Sequence, residues 1–133
     1  CQFELAFQFP FNVLDRRFEQ VNMPHGKRYA RSVFLQGLLA STNGLRADAP
    51  DALLNLQNEY HRLLVNENRN PLEVAISFVV GNPTVDYYLI GIDTVKQLQD
   101  LIDLDSIAVK DFLFLKDIRA KIEDEWLDPR KWS

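Results

Sequence analysis

The sequence of 133 residues has only one cysteine, Cys1, so it has no internal disulfide framework, and a reducing cytoplasm is the compartment this predicts. It has no uninterrupted apolar run approaching the ~20 residues that span a bilayer, and no basic-then-apolar signal segment opens it. Basic residues are also few, because 15 Lys and Arg face 19 Asp and Glu, with a pI near 5.1. The sequence therefore predicts no membrane partner and no nucleic-acid partner.

Apolar residues, by contrast, are plentiful enough for one packed core. The chain is 47% hydrophobic and 11% aromatic, which excludes a disordered protein. It opens on Cys-Gln-Phe rather than Met and enters an apolar stretch within a few residues, whereas natural termini are usually polar and frayed. We therefore expect residues 1–133 to be the C-terminal piece of a longer polypeptide.

Three segments are typical of β-strands. Residues 3–11 alternate strictly between large apolar side chains and small or polar ones, which is the period of a strand. Residues 28–34, which run on into 35–39, and residues 85–92 are the second and third candidates. Asn43-Gly44 marks the loop after the second strand.

Helices are predicted between and after these strands. A short one is expected at 15–20, a longer one from Pro50, and another that begins at the Asn70 cap and ends at Gly81. Thr94 and Gln97 have the spacing of a capping box, and a last helix is expected at about 110–122. The helix that begins at Thr94 has an apolar stripe that we expect to be buried: Val95, Leu98, Leu101 and Ile102.

Strands that alternate with helices predict right-handed βαβ units and a parallel sheet, which is an α/β fold. Three strands cannot close a barrel, since an eight-stranded barrel needs about 250 residues. The fold predicted for this sequence is an incomplete α/β unit.

Four segments resemble, in order, parts of the aldo/keto reductases. Residues 8–17 (QFPFNVLDRR) resemble the sixth barrel strand and its loop, and residues 31–39 (RSVFLQGLL) the seventh. Residues 90–98 (IGIDTVKQL) are similar to the eighth strand running into its helix, and the tail 128–132 (DPRKW) to endings of bacterial members. The resemblance covers nearly the whole chain and implies the C-terminal part, strands six to eight, of a (β/α)8 TIM barrel.

The resemblance also implies a function. The family reduces aldehydes and ketones to alcohols with a nicotinamide cofactor, usually NADPH, with NAD as the alternative, and without metal or flavin. The implied partners are therefore that cofactor and a small carbonyl substrate. The family's catalytic Asp, Tyr, Lys and His lie on its first four strands, outside this sequence, so no catalytic residue is expected here.

Cofactor-binding residues follow from the same resemblance. Gln8 would bond the nicotinamide carboxamide, and Arg31, where many members have Tyr, would contact the nicotinamide or substrate or else pair with a carboxylate. Pyrophosphate contact is expected from the strand-to-loop segment, which contains Ser32, Phe34, Gln36 and Gly37. The adenosine phosphate is expected at the start of the last predicted βα unit, which contains Gly91, Ile92, Thr94, Lys96, Gln97 and Asp100.

Each of these residues also has a purely structural interpretation. Gln8 would then be a polar residue at a strand end, Phe34 a core residue, and the Thr94 capping box an ordinary helix start. Asp100 stands, with Leu101, where members often place Glu and Asn for the adenine, and Leu101 cannot supply an amide hydrogen bond. We expect the carboxylates from 100 to 105 to lie on a solvated helix face.

Two other functional hypotheses remain open from the sequence. One is a catalytically silent, nucleotide-binding regulatory protein on the same scaffold, and the other is a truncated product without function. Open strand edges would favour pairing with another chain. His25 and His61 lack partners at metal spacing and are expected to be solvated, and Cys1 has no adjacent base that would make it a nucleophile.

Overall fold

The computed structural model describes residues 3–104 and 111–132, which form an α/β unit around a three-stranded parallel sheet. The strands, in the spatial order β1-β2-β3, are β1 (Ala6–Pro10), β2 (Lys27–Arg31) and β3 (Tyr87–Tyr88). The helices are α1 (Asp51–Asn66), α2 (Pro71–Val80), α3 (Val95–Ile102) and α4 (Lys116–Lys121). Short 3-10 turns cover Leu113–Leu115, Asp124–Leu127 and Pro129–Lys131. The predicted α/β class with a parallel sheet is confirmed.

The two faces of the sheet have different surroundings. In the β1–β2 register Phe9 is opposite Ala30, and both are buried on the face that meets the core. Gln8 and Arg31 belong to the opposite face, and both are exposed. The sheet therefore has one packed face and one open face.

The core lies between the packed face of the sheet and the helices. Its aromatic centre is Phe11, whose ring stacks on Phe78 of α2 with 5.2 Å between the centroids. Tyr60 of α1 is fully buried in the same cluster. Burying each of these side chains stabilises the fold by about 1.5–3 kcal/mol.

All three strands are shorter than predicted. β2 stops at Arg31 because Ser32 takes a φ of 56°, which no strand accepts. β3 is only two residues long, and its register is held by Asp86, whose carboxylate accepts from the backbone and side chain of Arg28 at 2.8–3.2 Å. These hydrogen bonds from the Arg28 side chain and backbone hold the pKa of Asp86 below its ordinary value.

Two predicted helices differ in the structure. No helix forms at 15–20, because local side chains satisfy the backbone instead: Asn12 accepts from the amides of Leu14 and Asp15. The last helix is split into the 3-10 turn Leu113–Leu115 and α4, and residues 105–110 lie outside the described residues.

Helix α3 forms as predicted, but its apolar stripe is not buried. Val95 is 84% exposed, Ile102 65% and Leu98 44%, while Leu101 is half-buried. The prediction of burial was wrong because periodicity reports which side of a helix is apolar, and not whether another element covers it. No helix within residues 3–104 and 111–132 has the length and apolar character to cross a membrane.

The two histidines also differ from each other. His25 is exposed, as predicted. His61 was predicted to be solvated, and this was wrong: it is buried in α1, with Nε2 3.1 Å from the backbone carbonyl of Leu38. Because a carbonyl oxygen only accepts, Nε2 donates this hydrogen bond, which satisfies the buried ring nitrogen. Cys1 lies outside the described residues.

Candidate functional site

A groove of about 630 Å³ lies where the segment after β2 meets the start of α3. Its volume is in the range of small-molecule sites in proteins. Seven of the twelve residues predicted to bind the cofactor line it: Ser32, Phe34, Gln36, Gly37, Gly91, Gln97 and Asp100. The fold therefore brings two sequence segments more than fifty residues apart to one concave surface.

The segment 32–37 forms one wall of the groove and has an unusual backbone. Ser32, Leu35 and Gln36 have φ angles of 56°, 45° and 54°, in the left-handed region that non-glycine residues seldom adopt. Gly37 has a φ of 90°, a conformation that glycine adopts without steric cost and that other residues rarely adopt. A backbone in this conformation is strained, and it persists only where neighbouring parts of the structure hold it in place.

Gly37 and Gly44 approach each other across this loop. A Cβ added to either glycine would collide with the backbone carbonyl of the other, so both positions exclude a side chain. Both residues line the groove. The contact closes the loop and leaves its amides near the groove, and no hydrogen bond between described residues uses the N–H groups of Phe34 or Gln36.

Asn12 holds the first residue of that loop from behind. It is completely buried at the end of β1, and its Nδ2 donates to the carbonyl oxygen of Ser32 at 3.1 Å. Its Oδ1 accepts from the amides of Leu14 and Asp15 at 3.0 and 2.9 Å. Every polar atom of this side chain is therefore engaged in fixing backbone around the groove.

The opposite wall includes the N-terminus of α3. The capping box predicted from the sequence is confirmed: the Thr94 hydroxyl accepts from the Gln97 amide, and the Gln97 side chain accepts from the amides of Asp93 and Thr94. The amides of Val95 and Lys96 have no partner in this arrangement, as in any first helical turn. With the helix dipole they make a weakly positive pole.

Side-chain charges in the groove are negative rather than positive. Asp93 and Asp100 line it, and its lining includes no Lys or Arg among the described residues. Lys96 points its Nζ to Asp100, 2.8 Å from both carboxylate oxygens, in an ion pair that is largely exposed. An anion in the groove would therefore be held by backbone N–H groups, with at most one lysine in reach.

The other five predicted residues do not line the groove. Gln8 and Arg31 lie on the open face of the sheet, where Arg31 Nη1 is 3.3 Å from the Ser32 hydroxyl. Ile92 and Thr94 precede α3 and Lys96 lies in its first turn, and the side chains of these three residues are not part of the lining. Arg31 thus touches the first residue of the groove and faces a different cavity.

Sequence reasoning missed some groove residues, namely Ser41, Asn43, Gly44 and Leu89. Asn43-Gly44 was identified only as a turn, and its closeness to Gly37 had no signal in either segment alone. Asn12 was read as part of a family motif without a role. A buried Asn followed by two turn residues is the pattern of an Asx turn, which could have indicated it.

No cluster of three His, Cys, Asp or Glu side chains that could hold a metal ion is present within 3–104 and 111–132. No protein-family model matches the sequence, and no curated protein matches it.

Proposed function

We propose that this chain is the cofactor-binding part of an NAD(P)H-dependent oxidoreductase that reduces aldehydes or ketones, built on the C-terminal part of a TIM barrel. The observation that carries the proposal is the convergence of the 32–37 loop and the α3 start on one groove. The sequence resemblance places the pyrophosphate and the adenosine phosphate at these two segments.

The groove's chemistry fits a dinucleotide in part. The amides of Phe34 and Gln36 and the amides at the start of α3 are donors suited to phosphate oxygens. The two carboxylates suit ribose hydroxyls better than phosphates, because they only accept hydrogen bonds. We therefore assign the pyrophosphate to backbone amides and leave Asp93 and Asp100 toward the sugar.

The nicotinamide end is assigned to the open face of the sheet. Gln8 has a side-chain amide that both donates and accepts, which matches a carboxamide. The nicotinamide ring, when bound, supplies the hydride for carbonyl reduction. The residues of this chain orient that ring and hold the phosphates. By the resemblance, the proton donor that reduction needs lies outside this sequence.

NADPH titration tests the proposal, with energy transfer from tryptophan to the bound nicotinamide as the readout. We expect saturable binding that weakens by about tenfold or more in Gly37→Val, whose side chain would fill the loop closure. Ala47→Val is the control, since it introduces the same valine at an exposed position that does not line the groove. Absence of saturable binding, or equal weakening in both variants, would refute the assignment of the groove.

Binding is also expected without turnover. The chain should not oxidise NADPH with simple aldehydes above background, because it lacks the proton donor. The same outcome in the complete protein, despite NADPH binding, would favour the catalytically silent, nucleotide-binding alternative.

A further inference from the structure

A second cavity of about 450 Å³ lies at the carboxyl ends of β1 and β2, under the C-terminal segment; we call it the tail pocket. Its apolar side includes Pro10, Phe18 and Leu127, and its charged side includes Arg17, Arg31, Arg130 and Asp128. Three guanidinium groups and one carboxylate make the charge of this lining positive, in a chain whose net charge is −4.

Two of the three arginines already have a carboxylate partner. Arg17 pairs with the buried Asp15 at 2.8 Å, and Arg130 pairs with Asp128 at 2.7 Å. Arg31 is different, because the ion pairs between described residues do not include it. Its one side-chain hydrogen bond there is to the hydroxyl of Ser32. Arg31 therefore brings one positive charge to the pocket without a compensating negative charge among the described residues.

The chemistry of this pocket selects a carboxylate. A guanidinium presents two parallel N–H donors that match the two oxygens of a carboxylate, and such charge-assisted pairs are roughly twice as strong as neutral hydrogen bonds. The apolar side of the pocket would contact the carbon skeleton that carries the carboxylate.

The position of the pocket links it to the proposed reaction. Arg31 shares the open sheet face with Gln8 and is bonded to Ser32, the first residue of the groove. A small molecule held at Arg31 would lie beside the assigned nicotinamide end. We propose that the tail pocket binds the carboxylate of an anionic carbonyl substrate, with Arg31 as the principal contact. The substrate role rests on the proposed function, whereas carboxylate binding does not.

Benzoate and benzamide are matched probes, since they have nearly the same shape and differ in charge. Calorimetric titration of the protein should show benzoate binding at least about tenfold more tightly than benzamide, as one charge-assisted pair provides. We expect Arg31→Gln to abolish this preference. Arg31→Lys should retain part of it, because lysine keeps the positive charge but lacks the two parallel N–H donors of a guanidinium. Arg62→Gln, on the exposed side of α1, is the control and should bind like the wild type.

Equal affinity for the two probes, or an Arg31→Gln variant that keeps the wild-type preference, would overturn the inference. NADPH titration of the same samples separates it from the proposed function. NADPH binding without charge-selective benzoate binding would refute the tail pocket alone. Charge-selective benzoate binding without NADPH binding would support carboxylate binding and refute the cofactor assignment.

Discussion

The side-chain amide of Asn12 donates to the backbone carbonyl of Ser32 across 3.1 Å, and this hydrogen bond joins the end of β1 to the first left-handed residue of the groove loop. Two backbone amides fix the other end of the same side chain. A strained loop that lines the groove is thus held by a buried polar residue that does not itself line the groove.

Asn12→Ala should lower the free energy of unfolding by about 2–4 kcal/mol, because it leaves buried backbone donors and an acceptor without partners. Urea unfolding monitored by tryptophan fluorescence measures this. Asn70→Ala is the control, since Asn70 caps α2 with the same kind of hydrogen bonds but is exposed. Loss of that cap should cost about 1 kcal/mol. Similar losses in both variants would show that the Asn12 network adds nothing beyond a local turn.

Asn12→Asp tests whether the Asn12–Ser32 hydrogen bond positions the loop for cofactor binding, apart from its effect on the free energy of unfolding. The carboxylate keeps both acceptor contacts but cannot donate, and it sets a negative charge against the Ser32 carbonyl. We expect the NADPH affinity of Asn12→Asp to be about tenfold lower than that of Asn12→Ser. The serine side chain is too short for these contacts but adds no charge. Equal cofactor affinity in the two variants would show that the Asn12–Ser32 bond does not position the loop.

Glycine substitutions should distinguish loop strain from groove contact. Gly37→Ala combines an unfavourable φ with a collision against Gly44, so we expect a destabilisation of about 2 kcal/mol or more. Gly91→Ala has no such conflict and should change stability by less than about 0.5 kcal/mol. Thermal unfolding of both variants measures the difference, and equal melting temperatures would contradict the close Gly37–Gly44 approach.

Local features of this chain were predictable because their cause lies within a few residues. The starts of α2 and α3 follow from the Asn70 and Thr94 caps, whose side chains bond backbone two or three residues away. Strand lengths were not predictable, since β2 ends at a left-handed Ser32 held by Asn12, twenty residues earlier. The burial of α3 also depends on what packs against it, and sequence periodicity carries no information on that.

Part of the groove could be anticipated only through the resemblance. Composition and periodicity place Gly37 in the continuation of the second strand candidate and Gln97 at a helix start, but nothing in either pattern brings them together. The parallel sheet does this, because the carboxyl ends of β2 and β3 lie at the same edge. The negative lining comes from Asp100, which was among the predicted cofactor-binding residues, and from Asp93, which was not.

Tyr60 gives a prediction at alkaline pH. Its hydroxyl is buried without a hydrogen-bond partner among the described residues, and burial raises its pKa well above the ordinary value near 10. The unfolded chain then releases this proton first, so the free energy of unfolding falls as pH rises above about 10, by up to about 1.4 kcal/mol per pH unit. Tyr60→Phe should remove that part of the decline and leave stability at neutral pH equal or higher. Urea unfolding across this pH range measures it, and identical slopes in both proteins would show that Tyr60 is accessible.

Lys96 and Asp100 give the last prediction, which concerns the choice between NADPH and NADH. Lys96 is the cation nearest the proposed adenosine phosphate in sequence. By the resemblance to the aldo/keto reductases, Gln97 stands where proteins of that family that prefer NADPH often use Arg. The structure shows Lys96 already paired with Asp100 at 2.8 Å, so a 2′-phosphate would compete with an existing partner. Because that pair is exposed, it is worth no more than about 1 kcal/mol. We therefore expect a preference for NADPH of less than about tenfold.

Substitutions at this pair should move the preference in opposite directions. Lys96→Glu should abolish it, whereas Asp100→Asn should increase it, since the change frees Lys96 and removes a negative charge from the groove. Asp103→Asn is the matched control at the other end of α3, where Asp103 bonds Gln99 and does not line the groove. Titration of the wild type and the three variants with NADPH and with NADH measures this preference. An Asp100→Asn variant with a weaker NADPH preference would show that this carboxylate positions Lys96 for the phosphate and does not compete with the phosphate for it.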